Sequence, residues 1–163
     1  MSDSLPLAID PWLLYRHNKA LTGTLLLSRM PNLQASQNGA QGTASVTVAV
    51  KQREDGHIVL VGDAEIELAL ECQRCLQTLI KTIKAEFELL LVKYEQQLSS
   101  VNDADDAIVC KDNLELAPLI EQELILSLPM IAKHDDCQAM YKNGADGDAD
   151  RQHPFANLKD LLN

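Results

Sequence analysis

Apolar and polar residues alternate with period two along much of the first half of the chain, a pattern that predicts strands. From Thr43 to Val50, the residues Val46, Val48 and Val50 share one face, while Thr43, Ser45, Thr47 and Ala49 share the other. Glu54-Asp55-Gly56 supplies hairpin chemistry, and His57 to Val61 is the returning strand. Gly62-Asp63 predicts a second turn, after which Ile66, Leu68 and Leu70 point inward and Glu65, Glu67 and Glu71 outward. Residues 76–94 fit two periods. Ile83, Ala85, Phe87, Leu89 and Leu91 suit a strand, whereas Leu76, Ile80, Ile83, Phe87, Leu90 and Tyr94 suit a helix. The β-branched Thr78 and Thr82, following a meander, favour the strand. Nearer the start, Asp10-Pro11 offers an N-cap and a first helical residue, so Trp12 to His17 is a short helix or a turn. Leu21 to Met30 is expected to be a strand ended by Pro31.

The clearest helical spacing lies at Leu114 to Leu128, where Leu116, Leu119, Ile120, Glu123, Leu124 and Leu128 recur before Pro129. Segments 32–42, 95–112 and 138–153 are polar and are expected to be mobile loops. Pro154 opens a last helical turn or two, with Phe155, Leu158, Leu161 and Leu162 on one side. The expected fold is α+β and forms a single domain over residues 1–163. An antiparallel meander of about five strands, open or barrel-like, is packed by the one central helix at 114–128, with a short helical C-terminus.

Charge narrows the function classes. Asp and Glu number 24 against 14 Lys and Arg, for a net charge of −10. The basic residues are scattered, so tight, sequence-independent binding to nucleic acid is disfavoured and DNA is not an expected partner. An acidic surface also disfavours anionic lipid, and no stretch approaches the roughly 18 apolar residues of a membrane span. The opening Met-Ser-Asp-Ser-Leu-Pro has neither a basic nor an apolar signal region. Together with four cysteines in a chain of this length, it predicts a reducing, cytoplasmic location.

One motif carries possible chemistry, Cys72-Gln-Arg-Cys75. On a flat strand, residues three apart face opposite ways, so converging thiolates require a turn between them. Such a knuckle is half of a tetrahedral zinc site. Cys137, with His134 three residues before it, or His153, would have to supply the rest, leaving Cys110 spare. Buried or free thiols and a redox pair are the alternatives, although Glu71 beside the motif opposes a lowered thiol pKa. Arg74 inside the motif is either a partner-binding residue or a solvated side chain. Asp146-Gly-Asp148-Ala-Asp150 imitates the start of a calcium loop, but Arg151 and Asn157 occupy the positions that need Gly and Glu. Glu65 and Glu67 share an exposed face, and the four histidines His17, His57, His134 and His153 are dispersed, so no catalytic constellation is expected. Trp12 and Tyr15 belong either to the core or to a partner surface.

The run Gly62-Asp-Ala-Glu-Ile-Glu-Leu-Ala-Leu-Glu-Cys72-Gln-Arg-Cys75-Leu resembles the central signature of the YceD family, the large ribosomal RNA subunit accumulation proteins. The stretch from Asn113 to Pro129, followed by His134 and Cys137, is similar to its second block, and Pro154 to Leu162 to its third. With Leu7 to Asp10, the likeness extends over nearly the whole chain. The resemblance implies a non-enzymatic bacterial factor for synthesis, processing or stability of 23S ribosomal RNA, and so for large-subunit biogenesis. It also implies a structural zinc in those relatives that carry a Cys-rich segment after the helix and proline. Of that segment this chain has Cys137. The acidic charge points to action through a protein partner, such as a basic ribosomal protein.

Overall fold

The computed structural model describes residues 4–39, 41–102 and 105–140. The expected C-terminal helix, His153, the calcium-like loop and the 141–153 part of the last polar segment lie outside those residues.

The elements in chain order are β1 (Ala8–Ile9), α1 (Pro11–His17), β2 (Ala20–Leu26), α2 (Pro31–Ala35), β3 (Thr43–Gln52), β4 (Ile58–Glu71), β5 (Thr78–Val92), β6 (Ala107–Val109), β7 (Leu114–Glu115) and α3 (Leu116–Leu126). Strands β2 to β6 make one open sheet in sequence order, and β1 pairs with β7 in a second, two-stranded one. The α+β architecture is as the periodicity predicts. Three sheet pairings are antiparallel and the last, β5 with β6, is parallel. The chain returns across the sheet edge through a 3-10 turn at Glu95–Ser100, so β6 runs with β5 rather than against it.

Alternation places Val46, Val48, Val50, Ile66, Leu68, Leu70, Ile83, Ala85 and Leu89 on one buried face. Helix α3 covers that face with Leu116, Ile120 and Leu124, all fully buried. The apolar run at Leu89–Val92 is unbroken because both faces of β5 are covered there. Leu89 and Leu91 meet the main core, while Leu90 and Val92 join Val59 in a second cluster beneath Val101 and Ala107.

Several expectations are corrected. The strand expected over Leu21 to Met30 ends at Leu26, and Leu27–Arg29 is a 3-10 turn. The 95–112 segment, expected to be a loop, contains the 3-10 turn Glu95–Ser100 and strand β6. Gly62-Asp63 is not a turn: β4 continues through it, with Gly62 opposite Phe87. A Cβ at Gly62 would sit 2.6 Å from the Phe87 ring and 2.6 Å from the Thr47 carbonyl oxygen, so glycine is there for close approach. The polar stretch after Pro31 is not all loop, because Pro31–Ala35 is helical and buries Leu33. Its first turn is held from outside. The buried Glu121 carboxylate on α3 accepts the backbone N–H of Asn32 at 2.6 Å and of Leu33 at 3.0 Å, and the Asn32 amide at 3.2 Å. Finally, α3 starts two residues later than the spacing suggests, because Leu114 and Glu115 pair with Ile9 and Ala8 as β7. The short helix at Asp10-Pro11 forms as expected, with the Asp10 carboxylate accepting from the N–H groups of Trp12 and Leu13 at 2.9 and 3.0 Å.

Candidate metal centre

The β4–β5 connection contains the cysteine motif. The carbonyl of Cys72 accepts from the Leu76 N–H at 2.8 Å, and its N–H donates to Gln77 at 2.9 Å. Leu76 closes this tight turn with a φ of 58°, a left-handed conformation unusual for a branched side chain. The turn is what brings residues three apart onto one side, as convergence of the two thiols requires.

The second half comes from the segment after α3. Gln73 N–H reaches the Ala132 carbonyl at 2.8 Å, and Met140 N–H reaches that of Arg74 at 3.1 Å. Arg74 is partly buried and turned toward this segment. Its guanidinium donates to the carbonyls of Cys137 at 2.8 Å and His134 at 3.0 Å, holding the second pair against the first. Sequence reasoning missed this role, since the partners are backbone atoms some sixty positions distant.

Cys72, Cys75, His134 and Cys137 each present one ligand-type atom, and all four lie within 4.8 Å of one another. Cys72 Sγ is 3.6 Å from Cys137 Sγ, and Cys75 Sγ is 3.4 Å from His134 Nδ1. In a tetrahedral site with Zn–S near 2.3 Å, ligand atoms lie roughly 3.5–4 Å apart, so the donor set fits zinc in identity and number, and these two pairs are close to that spacing. Cys110 is elsewhere: it is buried in the main core, where burial first, then Asp10 and Asp112, push its thiol pKa up.

Electrostatics prepares the set for a cation. Burial opposes ionisation of Cys72, but the backbone N–H groups of Cys75, His134 and Arg74 outweigh it and bring its pKa down to about 5. Glu71, expected to resist this, is exposed at the end of β4. Cys137 moves the other way, raised by burial and by its neighbours Cys72 and Cys75. One thiolate and a reluctant thiol are what a divalent ion would convert into two ligands.

The family model described as "Large ribosomal RNA subunit accumulation protein YceD" matches residues 60–162, a span that includes all four ligand-type residues. A curated relative from Haemophilus influenzae bears the same description. It is 26% identical over 166 aligned residues, covering 96% of this chain and 95% of that protein. No solved structure matches the chain. With more than half of its length accounted for by the family model, and the knuckle and central helix inside that span, the chain belongs to the YceD family.

Proposed function

We propose that this chain is a non-catalytic cytoplasmic factor for accumulation of 23S ribosomal RNA in large-subunit biogenesis, working through a basic protein partner. Family membership over residues 60–162 is the observation that carries the reading. The partner's chemistry is supported by the solvent face of β4 and β5. Asp63, Glu65, Glu67, Glu71, Glu86 and Glu88 line it, and Asp63 lies directly opposite Glu86 in the register. Like charges paired across strands repel, and a cationic partner relieves that repulsion. Lys84 pairs with Glu65 at 2.7 Å, and Glu88 with Lys51 at 3.8 Å and Arg53 at 3.5 Å, which leaves Asp63, Glu67, Glu71 and Glu86 without an ion pair among the described residues. The four-ligand set supports a non-catalytic role, because a closed set leaves no position for substrate.

The test is the ratio of 23S to 16S ribosomal RNA in cells lacking the protein, with wild-type and Asp63→Asn/Glu86→Gln copies returned. A selective fall in 23S that only the wild type restores is the expected result. An unchanged ratio refutes the ribosomal role. A sub-micromolar complex with naked 23S fragments, formed without protein, refutes the partner-mediated part.

A second reading concerns the metal centre, and the four atoms within 4.8 Å favour it. Cys72, Cys75, His134 and Cys137 would hold a structural zinc, which supplies a fixed tetrahedral junction between the knuckle and the chain after α3. Protein purified without chelator should carry about one zinc per chain, lost in Cys72→Ser. Metal-free wild type with full activity would leave the thiols as packing groups.

A further inference from the structure

The scattered basic residues are less dispersed in space than in sequence. A recess of about 380 Å³ is lined by Trp12, Tyr15 and Arg16 of α1 together with Lys93 and Lys111. The Lys93 ammonium lies 4.8 Å from the centre of the Trp12 ring. A second recess, of about 290 Å³, shares Trp12 and Lys93 and includes His57.

The aromatic floor is fixed. Trp12 Nε1 donates to the Cys110 carbonyl at 3.1 Å, and the Tyr15 hydroxyl lies 3.3 Å from Gln52 Oε1. The cations are free of carboxylate partners, Lys93 lying over the Trp12 ring. Lys51, Arg53 and Lys84 pair with carboxylates, whereas Arg16, Lys93 and Lys111 form no ion pair among the described residues. Two carboxylates also line the recess. Asp10 is engaged in capping α1, and Asp112 is exposed. The acidic face of β4 and β5 does not cancel this local charge. Glu88, the member of that face nearest Lys93 in sequence, is on the order of 16 Å back along the extended strand, beyond a Debye length of about 10 Å.

We propose that this recess is a contact for a nucleotide of single-stranded RNA. The base stacks on Trp12, and the flanking phosphates take Arg16 and Lys111. Lys93 leaves the ring for a phosphate, exchanging an exposed cation–π contact for a charge-assisted hydrogen bond. An aromatic plate rimmed by cations is the chemistry of sequence-tolerant single-strand binding. The contact is weak and salt-sensitive, on the order of 10–100 µM. It supplements the protein partner proposed above and does not replace it. The choice of RNA rests on the ribosomal RNA reading.

Trp12 is the only tryptophan in the chain, so its emission reports this site directly. Full-length protein is titrated with a short oligouridylate, with anisotropy of the labelled oligomer as a second readout. Saturable quenching is expected, abolished in Arg16→Gln/Lys93→Gln/Lys111→Gln and kept in Lys81→Gln/Lys84→Gln. Each cation removed should lower the slope of log affinity against log salt by about one. Thermal unfolding verifies that the variants are folded. Binding seen by anisotropy without a change in Trp12 emission overturns the proposal, as does equal loss in the β5 control. Equal quenching by inorganic tripolyphosphate overturns the nucleotide assignment. Any of these results leaves the 23S ratio, and the reading it tests, untouched.

Discussion

The sheet and the cysteine knuckle are built by different means. Strands β3, β4 and β5 are long, locally connected and alternating, and each buries a row of aliphatic side chains in the main core. The segment that completes the knuckle buries only Ala132 well. Met130 is 97% exposed, Ile131 63% and Met140 63%. Its attachment runs through a few backbone hydrogen bonds, the Arg74 guanidinium and the four ligand-type atoms. One region is held by area removed from water, the other by directed polar contacts. Where apolar burial is this thin, a coordinated ion would supply what a core otherwise does.

The comparison can be broken most severely in the core. Leu124→Ala removes a fully buried side chain from beneath the sheet and should cost about 2–5 kcal/mol, measured as a fall in the urea midpoint. A loss below about 1 kcal/mol would mean that α3 does not anchor the sheet.

Metal removal should act on the other region alone. With chelator, or in Cys75→Ser, amide exchange should accelerate across residues 130–140 while β3 to β5 keep their protection. Simultaneous loss of the sheet would show the two regions to be one cooperative unit.

A smaller effect tests the polar edge of the sheet. Arg53 donates to Asp105 at 2.8 and 3.1 Å and to Asp55 at 2.7 Å. These hydrogen bonds and the Arg53 charge hold both carboxyls below their ordinary values, against the opposing effect of burial. A carboxyl depressed in the folded state contributes stability above its unfolded pKa, near 3.9. That contribution is lost as pH falls through the lower folded value. Wild type should therefore lose stability in acid more steeply than Asp105→Asn, read from unfolding midpoints between neutral pH and about pH 3. Parallel curves would count against the pairing.

The smallest change is expected at the knuckle's backbone. Leu76→Gly removes the left-handed strain at φ 58° and should stabilise metal-free protein by up to about 1 kcal/mol. Destabilisation instead would show that the half-exposed Leu76 side chain contributes more through packing than its conformation costs.

Much of the sheet was legible because period-two alternation is a local property. Val46, Val48, Ile66, Leu68 and Leu70 declare their face without reference to distant residues, and β5 follows from Thr78 and Thr82 once a meander is assumed. Gly62 misled for an instructive reason. Glycine beside aspartate signals a turn locally, but here it answers to Phe87 and the Thr47 carbonyl on neighbouring strands. Pro31–Ala35 was equally hidden, since its helix depends on Glu121 reaching its first N–H groups from α3.

The sequence by itself determined the strand faces, the central helix, the acidic balance and the pairing of Cys72 with Cys75 as half a ligand set. The sequence also named His134 and Cys137, beside His153, as candidates for the other half and left Cys110 spare. Only the tertiary structure brought His134 and Cys137 to the pair and showed Arg74 tying the two segments together. It also gathered Arg16, Lys93 and Lys111 around Trp12. The physical reason is the range of the interactions. Alternation and helical spacing act between residues a few positions apart, whereas metal ligation, carbonyl recognition and charge clustering join atoms whose proximity is set by how the whole chain packs.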